Sequence, residues 1–504
     1  MKTSNTYFRF ILSTSLLAVA LFFNACKKEK NDPVVIKPDV SFVALTSTGM
    51  LQTFNATNTN EVKSSVAVSG LQSGETLLAI DYRPATGQLY GLGSTSRLYT
   101  INADGKARAI GAASFSPALS GNVSGFDFNP TVDRIRVVTS GGQNLRLNPE
   151  TGMVAAMDGS IVVSGGVSVT SVAYTNNMAG ASSTVLFDVD VAAKKLYKQD
   201  PPNAGTLVEI GNLTTPNSSG ESAFDISPDG IALLALANGS SSSLYQVNLE
   251  SGATTDLGSF GSTVIGIAIP TLPVAYAVDE ANNLIIFNPL KTDQVIKPIT
   301  GLGASETIYG IDFRPVNGQL YALGSSSRLY TINSASGAAT MVGTLPLTTL
   351  LSGTSFGFDF NPLVDRIRVI SNTGQNLRLD PNTGLLAASD GGLNPGMPSI
   401  SAAAYTNNFA GTTSTALFDI DFASDKLYKQ DPPNMGTLVE IGALGVNVDA
   451  ANGFDIGGTS GTAYAILTVG GTTKVYTINL TTGAATAGVD FSKSVKGFAL
   501  GLGF

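Results

Sequence analysis

Leu77-Leu-Ala-Ile-Asp-Tyr-Arg-Pro-Ala-Thr-Gly-Gln-Leu-Tyr-Gly-Leu-Gly-Ser94 returns, 231 residues later, as Ile308-Tyr-Gly-Ile-Asp-Phe-Arg-Pro-Val-Asn-Gly-Gln-Leu-Tyr-Ala-Leu-Gly-Ser325. Within this stretch, Ala79-Ile-Asp-Tyr82 reads as one strand and Arg83-Pro-Ala-Thr-Gly87 as a turn. Gln88-Leu-Tyr-Gly-Leu92 reads as a second strand, Arg97-Leu-Tyr-Thr-Ile101 as a third, and Ala107 to Gly111 as a fourth. Short runs of Ile, Leu, Tyr and Val closed by Gly, Pro and Asn are strand and turn signals. No stretch beyond the N-terminal leader sustains a 3.6-residue period, so helices are not expected.

The same segment recurs, weakened, inside each half. Ile80, Phe126, Tyr174, Phe224 and Ile267 head similar modules, spaced 43 to 50 residues apart, and Ile311 begins the cycle again. Four strands per module, repeated, is the pattern of propeller blades. Ser41-Phe-Val-Ala-Leu45 has the pattern of a second strand, whereas Val264-Ile-Gly-Ile-Ala-Ile269 and Val495-Lys-Gly-Phe-Ala-Leu500 have that of first strands. A late strand that completes the opening blade removes the free edge of a sheet. The expectation is an all-β chain of two tandem five-bladed β-propellers with four-stranded blades, over 41–270 and 271–504. The short joint near Pro270-Thr-Leu-Pro273 leaves one ten-bladed ring as the alternative.

The N-terminus gives an address. Lys2 and Arg9 precede a nearly continuous apolar run, Phe10 to Phe23, too short for a membrane span and suited to a secretory leader over 1–25. Phe23-Asn-Ala-Cys26 resembles a lipobox, and Cys26 is the sole Cys of the chain. Lipidation at Cys26 would anchor the protein through buried methylenes, at about 0.8 kcal/mol each. Polar, Pro-containing residues 26–40 read as a tether. The expected location is the cell envelope, on the outer membrane, facing the surface or the periplasm. The net charge of −8 repels phosphate backbones and argues against nucleic-acid binding. With no second Cys, intrachain disulfides are excluded.

Gly-Ile-Asp-Phe-Arg-Pro315, Gly-Phe-Asp-Phe-Asn-Pro130, Gly-Gln-Asn-Leu-Arg146, Ala-Tyr-Thr-Asn-Asn177 and Pro-Pro-Asn-Ala-Gly-Thr-Leu207 stand in the same order in both halves. Together they resemble the bacterial family called domain of unknown function 4394, present here in two copies. The resemblance implies two rings, because that domain usually occurs alone. It implies no activity and no catalytic residues.

The chain has no His and no Trp, which excludes His-dependent triads and the common zinc sites. Carboxylate pairs, Tyr, Lys and oxygen-ligated calcium remain open. No cofactor is expected. Asp81, Asp127, Asp225, Asp312, Asp359 and Asp455 each follow the apolar residue that heads a first strand. They read either as a carboxylate ring around a channel, able to take Ca²⁺, or as turn-fixing acceptors of backbone N–H bonds. Recurrence from blade to blade favours the second. Arg134 and Arg136 share one strand face, as do Asp188 and Asp190 in the next module. They are expected to pair across blades as a buried ladder, and Arg366 and Arg368 with Asp419 and Asp421 likewise. Tyr174, Asn176, Asn177, Gln199 and Asn203, with counterparts Tyr405, Asn407, Asn408, Gln430 and Asn434, occur once per half and form a candidate ligand rim.

Three functions compete. The leading one is a surface-displayed lipoprotein with a non-catalytic binding or scaffold role, its partners the membrane through the lipid and an unknown protein or glycan. The others are a polysaccharide hydrolase or lyase using a carboxylate pair in a channel, and a purely adhesive lipoprotein. The fold does not choose among them.

Overall fold

The first strand of the first complete blade, Leu77–Tyr82, pairs antiparallel with Leu89–Gly93, which continues to Arg97–Ile101 and Ala107–Ile110. In this computed structural model, which describes residues 1, 36–161, 168–216, 218, 221–449 and 453–504, that arrangement is repeated throughout. The described residues form ten four-stranded antiparallel sheets, and their only helical pieces are the 3-10 turns Pro202–Ala204 and Pro433–Met435. The leader, Cys26 and most of the tether lie outside the described residues.

Leu77–Tyr82 lies beside Val123–Asn129, then Ser171–Tyr174, Ser222–Ile226 and Val264–Ala268, which returns to Leu77–Tyr82. Five first strands thus circle one axis. A second circle runs through Ile308–Arg314, Phe356–Asn361, Ile400–Tyr405, Gly453–Ile456 and Val495–Leu500. Each circle is closed by a late strand. Val264–Ala268 pairs with Ser41–Thr46, with Ala44 opposite Ile267, and Val495–Leu500 pairs with Ala275–Asp279, with Ala277 opposite Phe498. Two five-bladed rings are therefore closed separately, which decides against one ten-bladed ring.

The burial patterns explain why these sequences fold this way. Second strands such as Leu89–Gly93 and Leu186–Asp190 are buried at every position, because blades pack on both faces. Fourth strands such as Val154–Met157 alternate half-buried and exposed at the rim. Aromatic pairs recur between successive blades, edge to face: Tyr90 on Phe128 with centroids 5.1 Å apart, and Tyr321 on Phe360 at 5.2 Å.

Lys37–Phe504 pack as one compact unit. The joint between the rings spans only 269–274, and it suffices because the turn ends of the rings meet. Arg83 Nη1 donates to the Gly318 carbonyl at 2.9 Å, Tyr276 hydroxyl to the Ala85 carbonyl at 2.9 Å, and Gly503 N–H to the Thr86 carbonyl at 2.8 Å. Residues 37–40, assigned to the tether by composition, are bound to the first ring. Lys37 Nζ donates to the Leu257 carbonyl at 2.5 Å, and Ala56 N–H to the Val40 carbonyl at 2.9 Å.

Candidate functional site

Asp81, Asp127 and Asp225 stand near the ends of their first strands, where the backbone places their side chains towards the neighbouring blade. Their carboxylates accept N–H bonds from that blade: Phe128 to Asp81 at 2.7 Å, Tyr174 to Asp127 at 3.0 Å, and Ile269 to Asp225 at 2.5 Å. Asp81 and Asp225 also accept from the residue that follows each, Tyr82 and Ile226. The second ring repeats the set, with Phe360 on Asp312, Tyr405 on Asp359 and Leu500 on Asp455. These residues are blade-to-blade latches. The backbone-fixing reading of the recurrent Asp is the one the hydrogen bonds support.

The same geometry gathers charge. In each triad one oxygen of every carboxylate lies within 4.8 Å of the others, and all six residues are only 1% exposed. Burial, together with the Asp225 charge for Asp81 and the Asp81 and Asp225 charges for Asp127, pushes both carboxyls well above the usual range. Asp225 and Asp455 are pushed up to about 7 by burial. Three carboxylates this close cannot all ionise without a cation to balance them; otherwise protons keep part of the set neutral. The donor set is all oxygen, the kind a hard dication takes, although backbone N–H groups already engage each carboxylate.

Arg136 organises a second cluster. It lies directly across the strand pair from Asp127 on one side and from Arg146 on the other. Its Nε donates to the Tyr174 hydroxyl at 3.2 Å, Nη1 to Asn144 Oδ1 at 2.7 Å and Asp158 Oδ2 at 2.5 Å, and Nη2 to Asn203 Oδ1 at 2.9 Å. Arg146 grips both oxygens of Asp158 at 2.8 Å. Arg368 and Arg378 repeat this with Tyr405, Asn376, Asp390 and Asn434.

The cross-blade ladder expected from sequence does not form. Arg136 and Arg368 pair with Asp158 and Asp390, not with Asp188, Asp190, Asp419 or Asp421. The register explains why: two guanidinium groups face each other across neighbouring strands, and one carboxylate just past the fourth strand pairs with both. Arg134 and Arg366 donate instead to the carbonyls of Asp133 and Asp365. Asp190 accepts backbone N–H bonds from Ser168 and Ala193, and Asp421 from Ser399 and Ala423. Asp188 and Asp419 are fully buried, and their carboxylate oxygens find no hydrogen-bond partner among the described residues. Burial, opposed by the Arg136 charge, lifts the Asp188 carboxyl to about 8, and burial opposed by the Arg368 charge raises Asp419.

The candidate rim divides. Tyr174, Asn177 and Gln199 are buried, as are Tyr405, Asn408 and Gln430, so these six form no exposed rim. The loops turn inward because Gln199 and Gln430 donate to the Pro202 and Pro433 carbonyls at 2.6 Å, and the Tyr hydroxyls bond the Arg. Asn203 and Asn434 are exposed but also bond the Arg, joining the two motifs in one network. Asn176 is exposed and Asn407 half-buried, each tied to its own loop through the Ser183 or Ser414 carbonyl.

The sequence profile of one family, described as Domain of unknown function (DUF4394), matches residues 50–268 and again 283–499. The chain belongs to that family. No curated protein matches it. Solved structures similar to this member of DUF4394 include the extracellular domain of the one-component system BT4673 from B. thetaiotaomicron. The match has 12% identity and a TM-score of 0.27, covering 91% of this chain and 66% of that one. Another is PorZ, described as a surface component of the type-IX secretion system of Porphyromonas gingivalis. It is 12% identical with a TM-score of 0.25, covering 90% of this chain and 59% of that one. The chain thus spans less than two thirds of the length of either. Among the described residues no helix is long and apolar enough to cross a membrane.

Sequence reasoning missed Asp158 and Asp390 as the carboxylate partners. The signal was present: an Asp-Gly pair stands twelve residues after Arg146 and again after Arg378. It also missed Arg83, which is fully buried and bonds both oxygens of Asp133 in the next blade and Glu150 Oε1 at 3.0 Å.

Proposed function

We propose that the chain is a non-catalytic binding or scaffold protein of the cell envelope, lipid-anchored at Cys26 on the outer membrane, with a protein or a glycan as its partner. The observation that supports this reading is the withdrawal of the clustered ionisable side chains from solvent. The axial carboxylates are 1% exposed and act as blade latches, and Arg136 and Arg368 each make four bonds to internal partners. A hydrolytic pair needs carboxyl groups that reach a substrate and a water molecule. The test has two arms. Palmitate labelling of the full chain is expected to disappear with Cys26→Ser. The intact lipoprotein, used as bait on envelope proteins and on a glycan array, is expected to capture a partner without altering it. Depolymerisation of a polysaccharide by the purified chain would overturn the non-catalytic reading, and unchanged labelling of Cys26→Ser would overturn the anchor.

A further inference from the structure

The two rings are near copies, yet one row of side chains differs in a way that opens a cavity. In the second ring, Tyr276, Ile286 and Val295 stand side by side on neighbouring strands of the closing blade. Tyr276 and Ile286 are buried in a large apolar cluster with Phe313, Leu320, Ile332 and Leu502, and Tyr276 reaches across to the Ala85 carbonyl. Val295 abuts Gly180 of the first ring. Strand register places Val43, Thr53 and Ser64 at the corresponding positions of the first ring: Val43 faces Ala268 as Tyr276 faces Ala499. A phenol and two branched aliphatics are thus replaced by one smaller aliphatic and two hydroxyls.

The result is a cavity of about 500 Å³ between the rings. Its walls are Val43, Leu51, Val66, Leu89 and Ile101 from the first ring, and Phe409 and Leu502 reach it from the second. Polar groups are in the minority. Thr53 and Ser64 hydroxyls bond each other at 2.8 Å, Asn102 is half-buried, Thr459 enters from the second ring, and Gln88 brings a buried Oε1 with no hydrogen-bond partner among the described residues. Asp104, exposed, is the sole carboxylate that the described residues place on the lining. Tyr82 also lines the cavity and forms no side-chain hydrogen bond to any described residue. Burial and the neighbouring Asp81 hold its hydroxyl up to about 12, so it stays a proton donor. Among the described residues no Lys or Arg faces the space, which leaves an anionic ligand without a counter-charge.

We infer that this inter-ring cavity is a binding site for a small neutral amphiphile, an aliphatic or aromatic body carrying a hydroxyl or carbonyl oxygen. The volume lies within the range of sites that enclose drug-sized ligands, and a mostly apolar lining with a few placed polar groups is their usual composition. The Tyr82 hydroxyl donates to the ligand's oxygen, and the Val43–Thr53–Ser64 row makes room for its body. The site is too small for a folded partner or a long glycan chain, so it goes beyond the binding role proposed above.

N-phenyl-1-naphthylamine, a neutral fluorophore that brightens in apolar surroundings, is the probe, titrated into the full chain carrying Cys26→Ser so that no detergent competes. One saturable site per chain is expected. The triple change Val43→Tyr, Thr53→Ile and Ser64→Val copies the packed row of the second ring and is expected to weaken binding at least ten-fold. Tyr82→Phe tests donation, with a carbonyl-bearing competitor losing about three-fold in its ability to displace the probe. If the triple variant does not melt cooperatively, Val43→Phe alone is read in the same way. Absence of saturable binding to the unaltered row, or unchanged affinity in the filled variants, overturns the site. Capture of a protein or glycan by the filled variants at wild-type level separates failure here from failure of the proposed function.

Discussion

Replacing Arg136 by Met keeps much of the side-chain length and removes the charge and every donor. Four internal bonds disappear, to the Tyr174 hydroxyl, Asn144 Oδ1, Asp158 Oδ2 and Asn203 Oδ1. Asp158 keeps its two bonds from Arg146, so no carboxylate is stranded. Asn203 is exposed and turns to water. Asn144 is buried, and its carbonyl is left without a donor, at about 1–3 kcal/mol. The lost charge-assisted bond to Asp158 adds about 1.5–3 kcal/mol, offset in part by the apolar Met stem. The net expectation is about 3–4 kcal/mol. A ring of about 230 residues loses roughly 2–4 °C in Tm per kcal/mol, so its calorimetric transition should fall by roughly 6–16 °C. Arg368→Met should cost the same, because the second ring repeats the bonds to Asn376, Asp390 and Asn434 at 2.7, 2.7 and 2.8 Å. A fall under about 2 °C in either variant, with the circular dichroism unchanged, would refute the view that this guanidinium holds the second blade to the third.

Two further predictions concern charge. Asp188 has a folded-state value of about 8 against an ordinary value of 3.8, so its contribution to stability is fully present below pH 4 and is lost as pH rises to about 8. Asp188→Asn should flatten this slope and gain up to about 6 kcal/mol at pH 9 relative to wild type; Tm measured from pH 5 to 9 checks it, and parallel slopes for the two proteins would contradict it. Arg83→Met should destabilise more than Arg314→Met, by about 2 kcal/mol. Arg83 is fully buried, bonds Glu150 as well as Asp133 and reaches the other ring, whereas the Arg314 side chain is 11% exposed and Asn382 stands where Glu150 would be. Calorimetry of both variants decides it, equal losses being the adverse result.

The architecture was legible because three independent signals agreed. The 231-residue repeat set the copy number, the five modules set the blade count, and the first-strand pattern of 264–269 and 495–500 gave closure. The latching role of Asp81 and its relatives was legible too, since an acceptor needed in several blades must recur. The ladder failed for a physical reason. Face periodicity tells which side chains point toward the next blade, but not how far out along it a long Arg side chain reaches. Arg136 pairs with Asp158, just past the fourth strand, and leaves Asp188 without a hydrogen-bond partner among the described residues. The rim failed because Asn and Gln in a loop look the same whether they face water or cap their own backbone, as Gln199 does on Pro202.

Comparison of the copies separates scaffold from specialisation. The latches agree to about 0.1 Å between rings, and so do the Arg–Asn–Asn contacts. Those bonds set the angle between successive blades, and any drift in them would open a ring, so neither copy can change them alone. The rows that face the other ring carry no such constraint. There the copies part: Val43 against Tyr276, Thr53 against Ile286, Ser64 against Val295, and Glu150 against Asn382. An adjustment that served only closure would fill both sides alike, as the second ring does with Tyr276. The hollow on the first side is bordered by Tyr82, whose hydroxyl bonds no described residue, whereas the matching row of the second ring is packed into an apolar cluster. Difference between otherwise matched copies is therefore the better guide to a functional surface here than any feature they share.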